Sequence, residues 1–341
     1  RHVLLGGLAL LVASNLLFPL LARDSGSALV LRALAGVGHV GAYIPAIRLV
    51  SERFAGARRG AAVGFFVAAG YAGTTFSYTF MGLLLGSLPN WQAAYLTTAL
   101  VGLAALPLAF VAGRIQTPQA PATAHTAARG RLDLTILADR AVALNTLAYA
   151  LHTAELYLAR LWFPLLLAAS LAAQGLSAAD AAVRAATLSG LMFMMGIAGV
   201  FSGGYLSDRL GRCWGAAMIF GLSGVCSLLA GPLLAAPLLL IGLGFVYGFA
   251  TAADSAIYST AIIEIAPAGR VGSAQAVQSF IGFAIGALAP LIAGSLLDSR
   301  AGAGGWLLAF GFNALLALIG VASLWALRRL PAAARMAGGR R

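Results

Sequence analysis

The sequence predicts an all-α polytopic membrane protein built as two helix bundles, and three observations lead there. The 341 residues are 61% hydrophobic and only 9% charged, with a mean hydropathy of +0.92. A water-soluble fold cannot hide that much apolar surface, so lipid is the solvent for most of it. The apolar residues fall into ten stretches, each near or above the roughly 20 residues that span a bilayer, spread evenly along the chain. Arginines gather in every second loop between them. Lipid offers no partner to exposed backbone groups, so each stretch is expected to be a helix.

The first two spans are expected at 2–22 and 27–50, joined by a turn that carries only Arg23. Arg53, Arg58 and Arg59 follow, then spans at 60–86 and 92–112. The next segment, RIQTPQAPATAHTAARGRLD, is polar and holds two prolines together with Arg114, Arg129 and Arg131. It reads as a linker over 114–134 between a four-helix part, 1–113, and a six-helix part, 135–341. The six spans are expected at 141–168, 185–205, 213–231, 236–263, 272–297 and 305–327. Arg209 and Arg212 follow the sixth span of the chain, Arg270 the eighth, and Arg328 and Arg329 the tenth. The intervening turns hold only Arg184 and Arg300. The positive-inside rule then makes the arginine-rich side cytoplasmic and turns both ends of the chain that way, in the plasma (inner) membrane.

Composition also excludes several functions. The net charge of +12 contains no lysine, and its arginines lie between apolar runs, not along one face, which argues against nucleic acid. Cys213 and Cys226, beside or inside apolar runs, form neither a disulfide framework nor a metal-ligand pattern. There is no Walker lysine, acidic pair or HExxH motif, so no ATP-driven pump, no enzyme, no cofactor and no metal are expected.

The chain repeats itself with a long period. RHVLLGGLALLVASNLLF at the start aligns with RCWGAAMIFGLSGVCSLL from Arg212, and SERFAGARRGAAVGFF at 51–66 with IEIAPAGRVGSAQAV at 263–277, an offset of about 211 residues. Parallel repeats about an axis along the membrane normal build one class of transporter. Ahead of the second copy stands GGYLSDRLGR at 203–212. It resembles the signature of the loop between the second and third helices of each half in the major facilitator superfamily, carried here by Gly204, Asp208, Arg209, Gly211 and Arg212. In that family the motif clasps neighbouring helix ends on the cytoplasmic side and acts in gating. LRALAGVG at 31–38 is similar to the family's arginine and glycine motif in helix four.

The resemblance implies the major facilitator fold. RHVLLGG would be the tail of a first motif copy, two helices would precede it, and the ten spans would be family helices three to twelve in two pseudo-symmetric bundles. GYAGTTFSYTFMG at 70–82 departs from the glycine–proline signature of the proton-coupled drug antiporters, and GALAPLIAG at 286–294 lacks the asparagine of the nitrate carriers.

Ionisable residues inside spans cost roughly 2.5–3.5 kcal/mol each at a helix centre, so each calls for a reason. The richest segment is NTLAYALHTAELYLAR, Asn145 to Arg160. At about 100° per residue, Asn145, Tyr149, His152 and Arg160 share a stripe with Glu155 at its flank, a stripe expected to face the bundle interior or a water-filled path. A glutamate can exchange a proton, histidine is the residue type that titrates near physiological pH, and arginine can hold an anion. A structural pair, Glu155 with Arg160 or His152 with Glu155, is the competing interpretation. Arg32 either binds solute or snorkels to the interface. His39 shares a helix face with Tyr43, and Asp254, with Ser255 and Tyr258 nearby, falls opposite Tyr43 under the repeat offset. The pairs Gly60 with Gly64 and Gly282 with Gly286 are expected to serve close helix packing.

The expected activity is secondary active transport of a small solute by alternating access, as proton symport of an organic or inorganic anion, by a lipid-embedded monomer. A proton-coupled efflux antiporter and a transport-inactive sensor of the same fold are the alternatives.

Overall fold

A computed structural model describes residues 2–53, 57–112, 114 and 132–340, apart from the side chains at 48, 51, 52, 57–64 and 67. Every regular element among them is a helix. Most of the expected linker, with Arg129 and Arg131, falls outside the described residues, as do the side chains of Arg58 and Arg59 and the Gly60 with Gly64 pair. The chain divides into two units, Arg1–His125 and Thr126–Arg341.

The first unit holds α1 (His2–Leu21), α2 (Ser25–Arg53), α3 (Ala57–Ser87), α4 (Trp91–Val101) and α5 (Ala105–Ala112). Asn90 starts α4 by accepting from the Ala93 N–H at 2.8 Å, satisfying one of the orphan donors of a first helical turn. The α1 and α2 backbones touch: a Cβ on Gly38 would lie 2.5 Å from the Leu11 nitrogen. Small residues make such contact possible where lipid supplies no hydrophobic drive between helices.

The second unit holds α6 (Arg140–Ala173), α7 (Ala178–Leu210), α8 (Arg212–Ala230), α9 (Pro237–Ala253), α10 (Ser255–Ile265), α11 (Val271–Ser299) and α12 (Ala303–Arg328). A 3-10 tail, Pro331–Gly339, closes it. Asp139 caps α6 by accepting from Ala141 and Val142, and Ser177 caps α7 by accepting from the Asp180 N–H. Helix α6 is the pillar, packed by α11, α12, α7, α9 and α10. Gly211, at φ +94, turns the chain between α7 and α8 in a conformation that L side chains rarely adopt.

Nine segments of the described chain are long and apolar enough to cross a bilayer, and they coincide with nine of the ten expected stretches. Helices α4 and α5 form one of these spans, α9 and α10 another. The tenth stretch, 60–86, lies within α3 and is not among them. Helix α3 has ample length, but Tyr71, Thr74, Thr75, Ser77, Tyr78 and Thr79 dilute its apolar character.

Candidate functional site

The polar stripe of α6 meets an interruption between α9 and α10. Helix α9 ends at Ala253, Asp254 turns with φ −91 and ψ −9, and α10 starts at Ser255. Helix α7 approaches at this point, where a Cβ on Gly203 would fall 1.8 Å from the Ala253 carbonyl oxygen. The turn directs the Asp254 carboxylate inward, where its Oδ2 accepts from the Tyr258 hydroxyl at 2.9 Å.

His152 reaches this turn with both ring nitrogens. Its Nε2 lies 2.9 Å from the Ser255 hydroxyl. Its Nδ1 lies 3.0 Å from Asp254 Oδ1, an ion pair when the imidazole is protonated. The imidazole is 5.2 Å from the Tyr258 ring and 6.1 Å from Phe220, centroid to centroid. Asn145 closes one side, donating to the Tyr258 carbonyl at 3.2 Å and to Gln278 of α11 at 3.0 Å. Half-buried Tyr149 stacks edge-on against Tyr258 at 6.1 Å.

Glu155 lies three residues beyond His152 and turns to α8, where its Oε2 accepts from the Ser223 hydroxyl at 2.8 Å. Its Oε1 has no hydrogen-bond partner, and Asp254 is within electrostatic reach. The anticipated choice between Arg160 and His152 as its partner is thus replaced by a serine on another helix; Arg160 is half-buried, one turn and a half further on. Beyond Glu155, Asn313 of α12 donates to the Tyr247 hydroxyl at 2.7 Å. The structure therefore joins Asn145, Tyr149, His152, Asp254 and Tyr258 in one cluster, with Glu155 at its edge.

Sequence reasoning missed Ser223, Gln278, Tyr247 and Asn313. Gln278 and Asn313 carried a usable signal, as amides inside apolar stretches, where an unpaired polar group is costly.

In the first unit, Arg32 lies between α1 and α4, its Nη2 donating to Tyr95 at 2.6 Å and Asn15 at 3.2 Å. Its guanidinium stacks over Phe18, 4.0 Å from the ring centroid. It is exposed, as are His39 and Tyr43, whose rings stack at 5.7 Å.

At the end of the second unit that carries Arg212 and Arg270, the loop signature forms a clasp. Arg212 holds Glu264, at the end of α10, through Nε at 3.2 Å and Nη2 at 2.9 Å. Its Nη1 donates to Ser207 and Asp208 of α7. Arg209 instead lies over the Tyr205 ring, 4.5 Å from its centroid. A Cβ on Gly204 would meet nothing within 4 Å, whereas Gly203 is in tight backbone contact. The tail closes over this clasp, the Ala337 N–H donating to Glu264 Oε2 at 3.1 Å and Arg335 to the Ile265 carbonyl at 2.7 Å.

Among the described residues no group of three or more His, Cys, Asp or Glu side chains is arranged to hold a metal. The model of the Major Facilitator Superfamily matches residues 1–197 and again 141–340. The chain belongs to that superfamily. It is accordingly an integral membrane protein, with the transporter fold of the superfamily. No curated protein matches the chain.

Among solved structures, a bacterial homolog to the human lysosomal transporter Spinster, in an inward-facing and occupied conformation, superposes with a TM-score of 0.70 at 16% identity. That match covers 96% of this chain and 82% of the other. The inward-facing and unoccupied form gives 0.67 at 14% identity over the same shares. At this identity the likeness concerns the fold.

Proposed function

We propose that the chain is a secondary transporter that moves a small anion by alternating access in symport with protons, and that His152, Glu155 and Asp254 handle the proton. The observation that carries this is the buried cluster. His152, Glu155 and Asp254 are 2%, 0% and 1% exposed, inside spans where each ionisable group is costly to insert. His152 Nδ1 and Asp254 Oδ1 pair with each other at 3.0 Å, whereas Glu155 Oε1 has no hydrogen-bond partner, so one carboxylate oxygen is left over in a low-dielectric site where structural networks are normally complete. The interruption at Asp254 adds support, because broken helices commonly line transporter sites. The solved relatives are described as inward-facing, a state that belongs to an alternating-access cycle, and we carry that cycle over.

In this reading residues 135–341 form the six-helix C-terminal bundle. The arginine-rich end, with the Arg212 to Glu264 clasp as a gate element, faces the cytoplasm of a plasma membrane protein. Arg32 and Arg160 supply positive charge for an anionic solute, and His39 and Tyr43 belong to the pathway. The test is uptake of a panel of organic and inorganic anions into proteoliposomes under an imposed pH gradient. Glu155→Gln keeps an acceptor for Ser223 and removes the titrating group. It is expected to abolish pH-driven accumulation while sparing solute exchange at equal pH. Unchanged pH-driven uptake in the variant would overturn the coupling, and transport of cations alone would overturn the substrate class.

A further inference from the structure

The outer seam between α8 and α12 has a cationic end and an apolar groove in line. Arg328, at the end of α12, lies 5.5 Å from the Trp214 ring centroid and 5.4 Å from that of Trp325, and the two indoles meet edge to face at 4.9 Å. Its Nε is shielded from solvent and has no hydrogen-bond acceptor. One helical turn along the same pair, past Ala217 and Leu324, a groove of about 450 Å³ opens, lined on α8 by Gly221, Gly224 and Val225 and on α12 by Gly311, Leu315 and Leu318. Its rim is apolar and outward-facing: Leu318 is 66% exposed and Val225 54%.

The seam from Arg328 to Gly311 is about 25 Å long at 1.5 Å per residue. One leaflet of a bilayer with its headgroup is ~20–22 Å. Tryptophans mark the membrane–water boundary and arginines beside it attract anionic headgroups, so the polar end of the seam matches the depth of a lipid phosphate and the groove the depth of its chains. A zwitterionic headgroup carries no net charge for Arg328 to attract.

We propose that the α8/α12 seam binds one anionic phospholipid, its phosphodiester accepting hydrogen bonds from the outer face of the Arg328 guanidinium beside Trp214 and Trp325 and one acyl chain lying in the groove from Val321 to Gly311. The site needs no transported solute and is independent of the proposed proton pathway.

Native mass spectrometry of the full chain, in micelles with equal amounts of phosphatidylglycerol and phosphatidylcholine of the same chains, tests it. One phosphatidylglycerol is expected per chain, retained about fivefold over phosphatidylcholine, the factor expected of one arginine at the membrane surface. Arg328→Gln brings the ratio to parity. Gly311→Leu fills the groove and removes the retained lipid, and Gly221→Leu does the same from α8. A Cβ at either glycine meets no atom within 4 Å, so the leucine enters the groove without a clash at its root. Arg300→Gln, at the other end of the bundle, behaves as wild type. The proposal is overturned if phosphatidylcholine is retained equally by the unaltered chain, if Arg328→Gln keeps the preference, or if both leucine variants keep the lipid. A dimer that the leucine variants dissolve would also overturn it and assign the groove to a second copy.

Discussion

Replacing Gly203 with alanine is the most direct test of how α7 and α9 are fitted together. The new Cβ would lie 1.8 Å from the Ala253 carbonyl oxygen, 2.6 Å from its carbon and 3.2 Å from its Cα, all backbone atoms with no rotamer to yield. Reaching even 3.0 Å from the oxygen requires a movement of 1.2 Å, the difference between those two distances. The neighbouring contacts resist it, since a Cβ on Gly199 would be 2.5 Å from the Phe249 oxygen and one on Gly248 2.2 Å from the Met192 oxygen. Overpacking of this kind costs typically 1–3 kcal/mol, and the three nearest atoms, all backbone, argue for the upper end. At roughly 2–4 °C per kcal/mol for a unit of this size, the melting temperature should fall by about 6–12 °C. Cys213 and Cys226 are both buried, so a thiol-reactive fluorogenic dye reads the unfolding directly. Gly204→Ala is the control: its Cβ meets nothing, and it should melt at or slightly above the wild-type temperature. If Gly203→Ala melts within 2 °C of wild type, or if both variants fall alike, the backbone contact is not what positions these helices.

Two further predictions concern the arginine-rich end. Arg212→Gln removes the fork that holds Glu264, leaving the Ala337 N–H as its hydrogen-bond donor, and should cost about 1–3 kcal/mol in a melt. Arg212→Lys should lie between, keeping the charge without the fork, and the Arg212→Gln, Glu264→Gln pair should lose less than the sum of its members; additive losses would refute the pairing. The Thr135 hydroxyl, then Arg270, hold the Asp133 carboxyl below its ordinary value. A lowered value means the stabilisation is complete above the usual aspartate pKa of about 3.9 and disappears as pH falls through the lowered one. Asp133→Asn should therefore melt below wild type at pH 6, with the gap closing under acid. A gap independent of pH would mean the carboxylate charge plays no part.

The spans were legible because hydropathy along a chain records directly which segments lipid will accept, whereas the caps Asn90, Asp139 and Ser177 were not read, and α7 begins at Ala178, ahead of the expected 185. Helix α3 was the weak case, since its hydroxyls lower hydropathy without preventing a helix. Members of the buried cluster were legible for the same energetic reason: His152, Glu155 and Asp254 stand out inside apolar runs. Their partners were not. Sequence spacing suggested His152 with Glu155, three residues apart, but the structure turns His152 toward Asp254 and Ser255 on one side and Glu155 toward Ser223 on the other. Residues three apart on one helix share a face only broadly, and which neighbour each meets depends on packing between segments distant in the chain. The motif led to Gly204, while the close approach belongs to Gly203. A glycine's role is set by the backbone opposite it, which no local pattern records.

That approach connects packing to the polar cluster. The oxygen beneath Gly203 belongs to Ala253, the last residue of α9, and the next residue is Asp254. Any displacement of α7 that presses on this carbonyl therefore moves the backbone that aims the carboxylate at His152 and Tyr258. The clasp ties α7 to α10, on the other side of the interruption from that contact, because Arg212 binds Asp208 at the end of α7 and Glu264 at the end of α10. Helix α10 is thus held at its start by the Asp254 contacts and at its end by the clasp, eleven residues in all. Releasing the clasp would leave its far end held by the tail alone, through Ala337 and Arg335, while Gly203 still fixes the near one, so α10 would loosen at the far end first. The two ends make different predictions for transport. Under the proposed proton coupling, loss of the clasp should change how fast the cycle runs while preserving its pH dependence, whereas enlarging Gly203 should alter the pH dependence itself. Flux measured against pH in Arg212→Gln and Gly203→Ala separates the two, and identical profiles would show that α10 does not link them.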